Sequence, residues 1–217
     1  MLKLQREIET VIWDFNGTLV DDVDVIVQSV NPQLEKRGIA PLTTESLREI
    51  FGFPIEEYYR RLGVTFEEES MEDLATDFFA EYAPRLRECR LHSGVIETLD
   101  AFAARSARQF VLSAMEEGML HEMLRSLGIF DRFEAAYGLE HQKGDSKVAR
   151  ARRLVNDFRL EPEKTLLIGD TDHDGDVASG LGMATVLVAT GHQSATRLRA
   201  TGHTVIDSLS QLFDALP

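Results

Sequence analysis

Four acidic residues fall within seven positions in Asp170-Thr171-Asp172-His173-Asp174-Gly175-Asp176, directly after the apolar run Thr165 to Gly169. Carboxylates this crowded repel one another unless solvent or a cation offsets them. Mg²⁺ is the natural partner, a hard ion held by one or two carboxylates together with phosphate oxygens and water. Asp170, Asp172, Asp174 and Gly175 also match the opening of an EF-hand calcium loop. Its twelfth position, however, is Leu181 where a bidentate Glu is required, and a strand pattern precedes it instead of a helix. A further acid, Asp14, ends the stretch Ile8 to Trp13 and leads into Phe15-Asn16-Gly17-Thr18-Leu19-Val20. Taken alone, Asp14 reads equally as a cap for the next helix or as a reactive group at the carboxyl end of a buried strand.

The elements that must position these acids follow from periodicity. Ile8 to Trp13 predicts a buried parallel strand. Val23, Ile26, Val27, Val30 and Leu34 then recur with helical spacing, with Pro32 expected to kink or split the helix and Gly38 to end it. Thr43-Thr44 restarts a helix that packs Leu47 and Ile50. Pro54 and Gly63 frame the next. Met71, Leu74, Phe78, Tyr82 and Leu86 share a face of a longer one, with a bend at Pro84. Residues 21–91 therefore predict helix almost throughout, and no strand.

From Gly94 onward helix and strand alternate. Strands are predicted at 110–113, 134–138, 165–169, 184–189 and 204–206, with helices around 95–102, 119–127, 148–158, 177–181 and 209–216. This alternation predicts an α/β fold, a Rossmann-like parallel sheet covered on both faces. The helical block falls between the first strand and the rest, as an insertion.

A length of 217 residues suits one core carrying a smaller insert, and 43% apolar residues suffice for it. The net charge of −14 argues against a nucleic-acid partner. Cys89 is the only cysteine, so neither an intrachain disulfide nor a thiolate metal site is expected. No leader or membrane-spanning run is read, which leads to the expectation of a cytoplasmic enzyme.

Asp14-Phe15-Asn16-Gly17-Thr18-Leu19-Val20 resembles the first motif of the haloacid dehalogenase superfamily, and Gly169-Asp170 with Asp174 resembles the fourth. The resemblance implies that Asp14 is the nucleophile. It also implies that Mg²⁺ is held by Asp14, the backbone carbonyl of Asn16, Asp170 and Asp174. Ser113, after Phe110-Val111-Leu112, matches the second motif, so Ser113 and Ala114 are expected to bind phosphoryl oxygens, together with Gly17 and Thr18. The third motif supplies a lysine; Lys147, at a helix start, fits it, and Lys143 in the preceding loop is the other candidate. Asp172 and Asp176 are expected to be solvated or capping. The layout is similar to members with a helical cap, giving a core of residues 1–20 and 92–217 and a cap of 21–91.

The first motif departs from the family at Asn16, where phosphatase members carry a second Asp as acid and base. An amide cannot shuttle a proton at neutral pH. The expected function is Mg²⁺-dependent hydrolysis of small phosphorylated metabolites through an aspartyl phosphate, phosphoglycolate phosphatase-like in its cap segment Gly52-Phe53-Pro54. The alternative is a catalytically weak protein that binds such metabolites as a sensor. Carbon–halogen hydrolysis fits less well, because the position two after Asp14 is not aromatic. Arg48, Arg60 and Arg61 are candidate anchors for a second anionic group, while His192 is expected to be structural.

Overall fold

The structure is a computed structural model that describes residues 8–67, 69–140 and 146–216. Its eight strands are, in chain order, β1 (Thr10–Trp13), β2 (Val20–Asp21), β3 (Arg90–Leu91), β4 (Arg108–Glu116), β5 (Ala135–Leu139), β6 (Thr165–Gly169), β7 (Ala184–Val188) and β8 (Thr204–Ile206). Six of them form one sheet in the order β5-β4-β1-β6-β7-β8, every pair parallel. The first strand is thus central, between the second and fourth strands of the sheet. Val11, Ile12 and Trp13 are fully buried, as expected of a strand covered on both faces. Trp13 pairs with Val111 on one side and Ile168 on the other, so β1 and β6 end beside Leu112 and Ser113 of β4. Asp14, Ser113 and Asp170 therefore emerge at the same sheet edge.

Helices α1 (Val23–Lys36), α2 (Thr44–Ile50), α3 (Ile55–Leu62) and α4 (Met71–Leu86) lie between β2 and β3. Helix α1 runs unbroken through Pro32 and is not split there. The buried face Val23, Ile26, Val30 and Leu34 is packed on both sides of the proline. That packing outweighs the roughly 3 kcal/mol that an interior proline costs. Helices α2 and α4 each begin with a capping box, Thr43 with Ser46 and Ser70 with Asp73. The prediction of no strand within 21–91 also needs correction. Where the chain leaves and re-enters the sheet, β2 and β3 pair antiparallel, Val20 with Leu91 and Asp21 with Arg90. Strands of two residues carry no periodic signal.

The remaining helices are α5 (Val95–Ala104), α6 (Glu117–Ser126), α7 (Lys147–Phe158), α8 (Asp172–Leu181), α9 (Ala195–Ala200) and α10 (Leu212–Ala215). Helix α8 starts five residues ahead of the predicted Val177, because Thr171 caps it with Asp174 as the reciprocal capping-box partner. No helix among the described residues is long and apolar enough to cross a membrane.

Candidate active site

Asp14 leaves the carboxyl end of β1 with its backbone N–H donated to Ile168 O at 2.8 Å, which ties it to β6. Asp170 leaves β6, and Asp174 sits in the first turn of α8. Ligand oxygens of these three buried carboxylates lie within 4.8 Å of one another. Lys147, the first residue of α7, reaches in from the helix that packs beside α8 on the same face of the sheet. Its ammonium donates to Asp14 Oδ1 and, at 2.6 Å, to Asp174 Oδ1. Ser146 caps α7 by accepting from Ala149 N, which fixes where Lys147 enters. Lys143, the other lysine expectation, lies outside the described residues.

Burial, together with the neighbouring Asp174 and Asp170 charges, raises the Asp14 carboxyl well above its ordinary value, although Lys147 opposes this. For Asp174, burial pushes upward too, but Lys147 and the Thr171 hydrogen bonds hold it below the usual range. Burial by itself would lower Lys147, yet Asp14 and Asp174 raise it, so the ammonium keeps its proton. Asp14 and Asp174 thus share one buried ammonium, and with Asp170 close by Asp14 is left under-compensated. That donor set, all oxygen and all buried, fits a hard divalent cation.

Asp170 is also clamped from the other side. Its Oδ1 accepts from Thr18 Oγ1 at 3.2 Å, and its Oδ2 accepts from His192 N and, at 2.9 Å, from His192 Nδ1. Gly17, at φ +75°, and Gly191 both lie so close to this carboxylate that a Cβ at either position would collide with it. Gly17 and Thr18 therefore buttress Asp170 and do not line the cavity above Asp14, where the sequence placed them against substrate. Ser113 and Ala114 do line it. Ser113 Oγ accepts from Met115 N at 3.0 Å and donates to Asn16 Oδ1 at 3.4 Å.

Asn16 belongs to a network absent from the sequence reading. Its Nδ2 donates one hydrogen to Asp22 Oδ2 and the other to Tyr82 Oη, each at 2.8 Å. Tyr82 Oη donates to the same Asp22 oxygen at 2.6 Å. His192 Nε2 meets Asp22 Oδ1 at 3.1 Å. Burial would strip His192 of its charge, but Asp170 and Asp22, one on each ring nitrogen, hold it well above the ordinary histidine range. It is an imidazolium, with both nitrogens donating. Burial likewise pushes Asp22 up, and His192, Tyr82 and Asn16 together bring it below its ordinary value. His192 is thus a member of the site. Its only sequence signal was a position after a strand and a glycine. Asp22 and Tyr82 gave no such signal.

A cavity of about 340 Å³ opens above Asp14, roofed by residues of α1, α3 and α4 and the 51–55 segment. The end of α2 is bound to the core loop after β7. Arg48 donates to Gly191 O at 2.9 Å and Thr190 O at 3.0 Å, while Gln193 and Arg197 donate to Phe51 O at 3.1 and 2.6 Å. Arg61 donates to Ile50 O at 3.2 Å, and Arg60 pairs with Glu56. None of the three arginines expected as anion anchors lines the cavity. Asp172 is half-buried and accepts from Gln193 Nε2 at 2.8 Å, whereas Asp176 is exposed.

Comparison with known proteins agrees with this architecture. Residues 11–188 match the family described as haloacid dehalogenase-like hydrolase. A phosphoglycolate phosphatase from Rhodospirillum rubrum is 26% identical over 221 residues, covering 96% of this chain and 90% of that protein. The protein tyrosine kinase A of Mycobacterium tuberculosis has a solved structure that superimposes with a TM-score of 0.81 at 28% identity, covering 97% of this chain and 99% of that one. A haloacid dehalogenase-like hydrolase from Streptococcus pneumoniae shares the fold, with a TM-score of 0.84 at 18% identity and coverage of 97% and 99%.

Proposed function

The chain belongs to the haloacid dehalogenase-like hydrolases, and we propose that within them it is a Mg²⁺-dependent phosphatase of small phosphorylated metabolites. The observation that carries this reading is the Asp14 carboxylate at the floor of a cavity, with Lys147 and two further buried carboxylates around it. The names of the relatives, a phosphoglycolate phosphatase and a tyrosine kinase, both describe phosphoryl transfer. They support phosphoryl over carbon–halogen chemistry.

In this reading an Asp14 oxygen attacks phosphorus as the ester P–O bond breaks, and the electron pair leaves on the alcohol oxygen. Water then attacks the aspartyl phosphate, restoring the Asp14 carboxylate and releasing inorganic phosphate. Lys147 holds Asp14 in place through Oδ1 and balances charge on the transferring group. Ser113 Oγ and the Ala114 amide, on the cavity wall, bind the phosphoryl oxygens. Asp14, Asp170, Asp174 and the Asn16 carbonyl would hold Mg²⁺, which when bound neutralises developing charge on those oxygens. Gly17, Thr18 and the His192 imidazolium keep Asp170 aimed.

Metal removal is the direct test. A chelator should abolish phosphate release from acetyl phosphate, and added Mg²⁺ should restore it and raise the melting temperature. Calorimetry with no Mg²⁺ binding, with or without a phosphate mimic, would contradict the site.

We further propose that residues 21–91 act as a cap over the core of 1–20 and 92–217, closing to exclude water. Binding of a phosphate-mimicking anion should slow hydrogen exchange at Val20–Asp21, at 91–94 and at 51–55. Equal exchange with and without the anion would mark a fixed helical layer.

A further inference from the structure

Phosphoglycolate is the phosphate ester of an alcohol that carries a carboxylate, so a site built for it needs a cation facing the leaving group. The cavity above Asp14 offers a different surface. Its cap side is made by Ile26 and Val30 of α1, by Phe51 and Phe53, and by Phe78 and Phe79 of α4. The cationic side chains that line it are Lys147 and His192, and both are already committed to carboxylates. Arg48 and Arg61 are spent on backbone carbonyls and Arg60 on Glu56. A carboxylate on the leaving group would face an apolar wall and the Asp22 and Asp14 carboxylates with no cationic partner, a costly arrangement. Phe79 is 44% exposed, and among the described residues it is the only large apolar side chain so exposed. It sits on the wall of this same cavity.

A separate observation points the same way. Both amide hydrogens of Asn16 are occupied, by Asp22 and by Tyr82, and an amide has no proton to give a departing alkoxide. A phenolate, whose conjugate acid has a pKa of about 10, departs without that help far more readily than an aliphatic alkoxide.

From these two observations we propose that the cavity takes aryl phosphates, monoesters of an uncharged aromatic alcohol, in preference to phosphorylated hydroxy acids. The proposal rests on the phosphatase reading above. The ring stacks among the phenylalanines while the phosphoryl group reaches Asp14. A volume of about 340 Å³ accommodates a single-ring ester and falls at the small end of ligand sites. In the reaction the P–O(aryl) bond breaks, and the pair leaves on the phenolate oxygen. The water that later attacks phosphorus gives its oxygen to phosphate and one proton, by way of solvent, to the phenolate. The products are the phenol and inorganic phosphate.

The test is a substrate series with Mg²⁺: acetyl phosphate, ethyl phosphate, benzyl phosphate, phenyl phosphate and phosphoglycolate. Acetyl phosphate needs neither the ring pocket nor an acid, so its hydrolysis reports the catalytic centre alone. Benzyl and ethyl phosphates share an alkoxide leaving group and differ by the ring. Benzyl should exceed ethyl phosphate at least tenfold in kcat/KM, mainly through KM. Phenyl phosphate should exceed benzyl phosphate in kcat, and phosphoglycolate should fall below ethyl phosphate. If acetyl phosphate is hydrolysed but benzyl phosphate has no advantage, or phosphoglycolate is preferred, the aryl assignment is wrong and the phosphatase stands. If acetyl phosphate is untouched, the phosphatase reading fails, and calorimetry with benzylphosphonate and methylphosphonate decides the pocket. Benzylphosphonate binding tenfold tighter supports the aryl site, and equal binding overturns it.

Discussion

Replacing Asp14 with Asn is expected to silence hydrolysis of every phosphate ester and of acetyl phosphate, by roughly 10⁴–10⁶-fold, the scale of losing a nucleophile. The side chain is placed for two tasks at once. Its carboxylate lies at the cavity floor, and its oxygen belongs to the cluster formed with Asp170 and Asp174. The fold should survive the change. Lys147 keeps its bond to Asp174 at 2.6 Å, and the substitution removes a buried carboxylate whose proton affinity burial has already raised. The melting temperature of Asp14→Asn without metal should therefore hold or rise, while stabilisation by Mg²⁺ shrinks. Activity within tenfold of the parent protein would remove Asp14 from the reaction.

Asn16→Asp should act in the opposite direction and selectively. The new carboxyl would stand where Nδ2 now lies, 2.8 Å from Asp22 Oδ2. Two carboxylates at that spacing cannot both ionise, so the pair retains a proton at neutral pH. The proton is then available to a leaving alkoxide, and the group that gave it can afterwards accept one from the attacking water. Ethyl phosphate hydrolysis should rise on the order of 10²–10⁴-fold, the usual contribution of a positioned acid or base. Acetyl phosphate, whose leaving group needs no proton, should change far less. Steady-state kinetics on both substrates checks this. An unchanged profile on both, with phosphonates still bound, would favour a metabolite-binding protein over an enzyme.

What the sequence revealed of this site, and what it hid, has a physical pattern. Asp170 and Asp174 were legible because their crowding is local and unusual after an apolar strand. Asp14 acquired meaning only beside them. The parallel sheet was legible because buried strands alternating with amphipathic helices leave a periodic record. By contrast, Asp22, Tyr82 and His192 come from three distant segments, and nothing in their local spacing shows that they converge on Asn16. The arginines of the helical block were visible as charges, but the direction of a helix surface side chain depends on its tertiary partner. Arg48 points to the backbone of the core loop and not into the cavity. Thr18 was visible as part of a motif, and only the fold shows that its hydroxyl is turned to Asp170. Pro32 and the paired strands β2 and β3 illustrate the same limit, since packing decided the first and a chain crossing the second.

The central claim is that the phosphoryl group passes through a covalent bond to Asp14, and that claim can be measured on the protein as it stands. Asn16 cannot deprotonate the attacking water, so the second half of the reaction should be the slower one and the intermediate should accumulate. The protein should be mixed with radiolabelled acetyl phosphate and Mg²⁺, quenched in acid, reduced with borohydride and digested. An acyl phosphate on Asp14 would be recovered as homoserine at that position, with label in the quenched protein before reduction and none in Asp14→Asn. Label retained by Asp14→Asn, or homoserine at any other aspartate, would contradict the account.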